Sequence, residues 1–332
     1  MASAALLTTI AAGGAGASSL STRHTRAAAT IPPGTVLRVG EQLKNLSTAL
    51  ELGHQNQNFP YQVQYSEFVG GPPMLQAFEG GSLDAGFIQS TPLIFAQAAG
   101  QHVAAVAGWA SAGSSYALVS APGQHSIKSW AGLKGKRVAF QEGTALESAL
   151  LEGLKSAGLS LHDITAVNLP TTQIAAALQG GSADAAIEVE PLLSAYLQAN
   201  PSAQVIAHPA AVTEKSDFIV ATASAVGNKG VSAALADYIT RLIKAYQYLA
   251  LHPQVVIQTT YEGQYGLKPA RAAYVAKVVG ASKFFPLPGS MLGPQQNLAN
   301  LYLGAGVIPA HISVTQEFDP RFNTLVATEQ GS

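Results

Sequence analysis

An eleven-residue pattern occurs twice in this chain, 100 positions apart. Leu75-Gln76-Ala77-Phe78-Glu79-Gly80-Gly81-Ser82-Leu83-Asp84-Ala85 returns as Ala175-Ala176-Ala177-Leu178-Gln179-Gly180-Gly181-Ser182-Ala183-Asp184-Ala185. Each copy reads as the end of a helix, a Gly-Gly stop and a short buried strand. Glycine just past a helix accepts the left-handed backbone that a side chain resists. The displacement exceeds solenoid periods, which run to ~50 residues. It points instead to two similar α/β lobes, and so to a cleft between them.

The 332 residues exceed what one core usually organises, and with 48% hydrophobic and 11% charged residues there is apolar material for two. Net charge is −1 with no Lys/Arg run, which excludes the basic footprint of a nucleic-acid binder. The chain contains no Cys, so disulfides, thiolate metal sites and thiol nucleophiles are excluded. Its eight His residues are scattered without an H-x-x-x-H pair, so neither a metal nor a cofactor is expected. Residues 1–35 are set apart from the fold. An apolar stretch around Leu6–Ala12 precedes Ala15-Gly16-Ala17, which reads as an incomplete export signal with a small-residue cleavage site. It is too short for a bilayer span of ~20 residues, and no later run reaches that length. An exported protein, soluble in the periplasm after processing, is the expectation.

From Val36 onward, short apolar strands alternate with helical stretches, the pattern of doubly wound α/β sheets. The strands fall at Val36–Gly40, Tyr61–Phe68, Ala85–Ile88, Val103–Trp109 and Tyr116–Ser120. After the break at Ala121-Pro122-Gly123, a second series begins at Val138–Phe140. Val231–Leu251 reads as the longest helix, with Leu235, Tyr238, Ile239, Leu242, Ile243, Ala245 and Tyr246 on one face. The pattern places lobe 1 at 36–120 plus 217–332 and lobe 2 at 121–216. Crossovers near Ser120 and Asp217 would form a two-strand hinge.

In open α/β sheets, ligands bind beyond the carboxyl ends of the strands, where helix N-termini present free N–H groups. Here those turns are Val69-Gly70-Gly71-Pro72-Pro73, Gln89-Ser90-Thr91-Pro92, Gln141-Glu142-Gly143-Thr144-Ala145, Pro170-Thr171-Thr172 and Glu190-Pro191. Thr144 and Glu147 have capping-box spacing. A helix N-terminus is an anion site that needs no Arg or Lys, so several around one cleft would suit a small oxyanion.

Glu67–Ala77, Gly80–Gly86, Ser90–Gly100, Leu133–Thr144 and Val167–Pro170 carry a resemblance, in order, that extends from about Val36 to about Val326. The chain resembles the periplasmic aliphatic-sulfonate, taurine and nitrate-type substrate-binding proteins of ABC importers. The resemblance implies a two-lobed type II (Venus flytrap) receptor that hands a small anionic or zwitterionic ligand to permease and ATPase subunits. Its cleft would hold Gln42 after the first strand, Gly70, Gly71, Gln89, Ser90, Thr91, Gly143, Thr144 and Ala145, with the ligand tail against Phe218. Where the family has Trp-Asp-Pro, this chain has Val189-Glu190-Pro191 preceded by Glu188. Glu188 and Glu190 near the ligand would favour amino-bearing, taurine-like solutes over simple alkanesulfonates.

No catalytic residue is expected. A Glu188/Glu190 acid–base pair, which would suggest glycoside chemistry, competes with the simpler roles of cap and solvated carboxylate. No G-x-S-x-G elbow occurs. An enzyme on the same scaffold, acting on a sulfur-containing or pyrimidine-type molecule, is the alternative. The enzymes among these relatives depend on a Cys that is lacking here.

Overall fold

Strand formation follows the apolar runs, and connectivity decides which way each strand points. The computed structural model describes residues 30–111, 115–209 and 216–331. The segment read as an export signal, apart from its last residues, lies outside them. Lobe 1 begins with β1 (Val36–Gln42), α1 (Asn45–Leu52), β2 (Gln62–Phe68), α2 (Gly71–Glu79), β3 (Ala85–Gln89), α3 (Ser90–Ala98) and β4 (Val103–Ser111). Lobe 2 contributes β5 (Tyr116–Ser120), β6 (Arg137–Phe140), α4 (Ala145–Ser156), β7 (Thr165–Asn168), α5 (Thr171–Gln179), β8 (Ala185–Val189), α6 (Leu192–Ala199) and β9 (Val205–Ala207). The chain then returns to lobe 1 through β10 (Ser216–Thr222), α7 (Ala223–Gly227), α8 (Lys229–Leu251) and α9 (Pro253–Val256). A π-helical segment (Ile257–Gln264), α10 (Pro269–Val279), β11 (Ser282–Phe285), α11 (Leu292–Gly304) and α12 (Asn323–Gln330) complete it.

The first sheet has the order β11-β4-β10-β3-β1-β2 and the second β7-β6-β8-β5-β9. Strands joined by crossover helices run parallel, as β1 with β2 and β3 and β6 with β7 and β8. The strands that carry the chain between lobes, and β11, pair antiparallel. The sheets are therefore mixed. The sequence-based boundary at Ser120 is also corrected: Tyr116–Ser120 pairs with β8 and β9 in the second sheet, so the first crossing lies between Ser111 and Tyr116. The connecting residues 112–114 and 210–215, where the hinge was expected in part, lie outside the described residues.

Side-chain alternation along β10 shows how the first sheet is covered. Ile219 and Ala221 join the layer under α8, with Leu242 and Trp109, while Phe218 and Val220 join the layer under α2 and α3, with Met74 and Leu93. The face predicted for α8 is the one buried, and Asn228 caps this helix by accepting from the Gly230 and Val231 amides at 3.0 and 3.2 Å.

The repeat has a structural cause. Gly81 and Gly181 sit at φ 68° and 69°, and the hydroxyls of Ser82 and Ser182 donate to the Ala77 and Ala177 carbonyls. Each motif is braced by an arginine near the start of the first parallel strand of its sheet, β1 or β6. Arg38 binds Asp84 with Nε and Nη2 and donates Nη1 to the Gly81 carbonyl at 2.7 Å. Arg137 makes the same three bonds to Asp184 and Gly181, and holds the Asp184 carboxyl below its ordinary range.

Candidate functional site

The C-terminal ends of the parallel strands in both lobes face one cavity of ≈ 520 Å³. Gln42, Gly70 and Gln89 line it from lobe 1, and Ser115, Thr144 and Thr171 from lobe 2. Several hydrogen bonds cross between the lobes, among them Gln198 Nε2 to the Gly266 carbonyl at 2.9 Å and the Lys268 N–H to Gln198 Oε1 at 2.8 Å. Gln141 Nε2 donates to the Val69 carbonyl at 3.1 Å, Gln89 Nε2 to the Tyr116 hydroxyl at 3.2 Å, and the Tyr302 hydroxyl to the Thr144 carbonyl at 3.4 Å. On one side of the cleft, α11 packs on α4, with Leu298, Ala299 and Tyr302 in one apolar cluster with Leu151.

Of the residues singled out from sequence, Gln42, Gly70, Gln89, Thr144, Ala145 and Glu190 line the cleft. Gln42 Nε2 also donates to the Phe87 carbonyl at 3.2 Å. The others sit behind this layer. Gly71 opens α2, with no room for a methyl group because Pro92 lies 2.3 Å from where it would stand. Ser90 and Thr91 are buried, the first donating to the Ser216 carbonyl and the second bonded to the Tyr302 hydroxyl at 3.0 Å. Gly143 donates its N–H to Glu147 Oε2 at 2.9 Å. Phe218 is 0% exposed and meets Phe318 edge-on, so the expected tail contact is replaced by core packing.

Glu188 and Glu190 part company at the strand end. Glu188, 1% exposed, is enclosed in the lobe, and burial pushes its carboxyl up to about 8. Glu190 faces the cleft but also caps α6, accepting from the Ser194 N–H and hydroxyl at 3.1 and 3.0 Å. Burial raises its pKa and those two bonds oppose the rise. Of the two carboxylates, Glu190 alone lines the cleft among the described residues.

The expectation of several open helix N-termini is also corrected. The Ser47 N–H at the start of α1 is taken by Glu41 at 2.8 Å, and the Thr171 N–H at the start of α5 by Gln141 at 2.8 Å. With α4 served by Thr144 and Glu147 and α6 by Glu190, internal acceptors already occupy four of the turns. Of the turns singled out from sequence, those before α2 and α3 carry no side-chain cap bond, and prolines at Pro72, Pro73 and Pro92 thin out their donors.

Sequence reasoning missed the aromatic wall. Phe87, Trp109, Tyr116, Tyr246, Tyr261 and Tyr265 line the cleft, with Asp217 beside Trp109 and Gln89 in the strand register. Among the described residues no Lys or Arg lines it. Tyr246 lay on the predicted α8 stripe, and that stripe gave no sign that its last member reaches beyond the core. No group of His, Asp and Glu among the described residues could hold a metal ion.

Two α/β lobes with mixed sheets around one cleft define the periplasmic binding protein fold. Residues 63–255, more than half of the chain, match the family described as NMT1/THI5 like, and the chain belongs to that family. It is 36% identical over 164 residues to an aliphatic sulfonates-binding protein of Escherichia coli (strain K12), and spans about half (51%) of that relative's length. Among solved structures it is similar to the alkanesulfonate-binding protein SsuA from Xanthomonas axonopodis pv. citri bound to MOPS. That match has a TM-score of 0.77 and 27% identity, over 88% of this chain and 99% of the other. The periplasmic aliphatic sulphonate binding protein SsuA from Escherichia coli matches at TM-score 0.70 and 26% identity, over 87% of this chain and 93% of the other.

Proposed function

We propose that this chain is the substrate-binding component of an ABC importer, acting in the periplasm and capturing a small organic ligand with a sulfonate-type head. The observation that carries this reading is the interlobe cleft at the strand ends, bridged by Gln141 and Gln89 and walled by residues of both lobes. A ligand held there touches both halves at once, so its binding free energy biases their closure. The relatives named as sulfonate-binding proteins support the ligand class. The head would be held by neutral donors: the remaining amide N–H of Gln42 and of Gln89, the Ser115 hydroxyl and the backbone at Gly70 and Ala145. Neutral donors suffice for a sulfonate, whose charge is spread over three oxygens and which needs no proton. Glu190 and Asp217 also line the cleft, and an amino group on the ligand would meet them there. No covalent step is part of this reading.

Calorimetry with ethanesulfonate, taurine and MOPS, in a buffer free of sulfonates, tests it. One-to-one binding is expected, with a rise in melting temperature equivalent to about 2.7 kcal/mol at a hundredfold excess over Kd. Absence of heat with all three, or turnover of any, would count against the reading.

A further inference from the structure

We infer that the cleft has a second compartment, built for a bulky and flat apolar tail, so that aryl-bearing anions are preferred over the smallest sulfonates. The anionic half of this statement rests on the proposed function; the tail compartment stands on its own geometry. The cavity, ≈ 520 Å³, lies in the range that holds drug-sized molecules. A two-carbon sulfonate on the neutral donors at one end would leave most of that space unused.

What surrounds the remaining space is mostly aromatic and aliphatic, with Asn45, Thr48 and Gln264 interspersed. Trp109 forms its floor, stacked with Phe87 at 5.3 Å and 24° and tilted against Tyr246 at 5.6 Å. The sides come from α1 through Leu52, from α8 through Leu249, and from α10 through Val279. The room exists because small residues stand where larger ones would close it: Ala49, Ala250, Ala276 and Gly280 all line the cavity.

The π-helical segment Ile257–Gln264 is the second, independent sign. Runs of this geometry are rare, because the wider ring packs its own axis poorly, and they recur at functional sites. Here the segment closes with the Tyr265 N–H donating to the Thr260 carbonyl at 3.0 Å, a bond spanning five residues. Thr260, Tyr261 and Gln264 line the cavity, while Ile257 is held in a core with Val275. The lengthened turn thus reshapes the compartment wall while its outer face stays anchored.

The test is a sulfonate series against the full chain: methanesulfonate and taurine against benzenesulfonate and 2-naphthalenesulfonate, with 2-naphthol as an uncharged control. The naphthalene compound is expected to bind at least about tenfold more tightly than methanesulfonate, from the apolar area it buries. Ala250 is exposed at its outer edge and accepts substitution without core disruption. Ala250→Phe and Ala276→Phe, each with an unchanged ligand-free melting temperature, should reduce the aryl preference to threefold or less while leaving methanesulfonate affinity as it was. Equal or weaker binding of the aryl compounds overturns the tail compartment while the sulfonate reading survives, as does an aryl preference that both variants leave intact. Naphthol binding without any sulfonate binding keeps the compartment and removes the anionic head. Failure of every probe removes both.

Discussion

Gly70 sits at φ 87° and ψ 174°, backbone that only glycine enters cheaply, and a methyl group there would stand 2.5 Å from Gln141 Nε2. Gly70→Ala therefore combines about 1–3 kcal/mol of backbone strain with a collision against the group that bridges the lobes. Ligand affinity should fall by at least tenfold in calorimetry, and an unchanged affinity would show that the bridge plays no part in binding. A second residue-scale prediction concerns two enclosed carboxyls. Burial pushes Glu188 and Glu317 up to about 8 from an ordinary 4.5. Such a group contributes its full share of stability below about pH 4.5, where folded and unfolded chains are both protonated. That share is lost as pH rises towards about 8, because only the unfolded chain ionises freely. Melting temperature should fall across this window, and Glu317→Gln should flatten the fall. Sequence reading reached Glu188 through its spacing from Glu190, but Glu317 carries no local mark. Its burial comes from Gln295, which donates to it at 2.7 Å from 22 residues away.

At the scale of elements, the alternation of apolar strands and helices was legible nearly throughout, because each element must bury one face. The stripe read along Val231–Leu251 is the face that α8 buries. Pairing partners were not legible. The segment Tyr116–Ser120 has five buried residues and reads as a strand in either lobe, and only its ladder with Ala185–Val189 assigns it. The π-helical turn was equally invisible, since Ile257–Gln264 carries no residue pattern that marks it. Of the site, the turns were legible from their Gly, Ser, Thr and Pro, whereas the occupation of their amides by Glu41 and Gln141 depends on distant geometry. A prediction belongs at this scale too. In α4, a methyl group on Gly153 would lie 2.2 Å from the Trp130 ring. Gly153→Ala should cost about 1–3 kcal/mol through overpacking, although alanine favours helix. Chemical denaturation would reveal it, and a stabilised variant would show that the Trp130 side chain yields freely.

For the whole molecule, polar bonds and the α11–α4 cluster both join the lobes. The apolar cluster of Leu298, Tyr302 and Leu151 ties the lobes on one flank, and the Gln141 bridge fastens the mouth. Gln141→Ala removes a bridge worth about 1 kcal/mol, together with the acceptor of the Thr171 N–H, and should weaken ligand binding by at least about fivefold. Solution scattering should register less compaction with a bound sulfonate than in the parent. Equal compaction would place the fastening elsewhere. The paired arginine braces carry a broader consequence. Each begins and ends within its own half, Arg38 on Asp84 and Arg137 on Asp184. Opening the mouth disturbs neither, so the turns that meet a solute can change over generations while both scaffolds keep their shape.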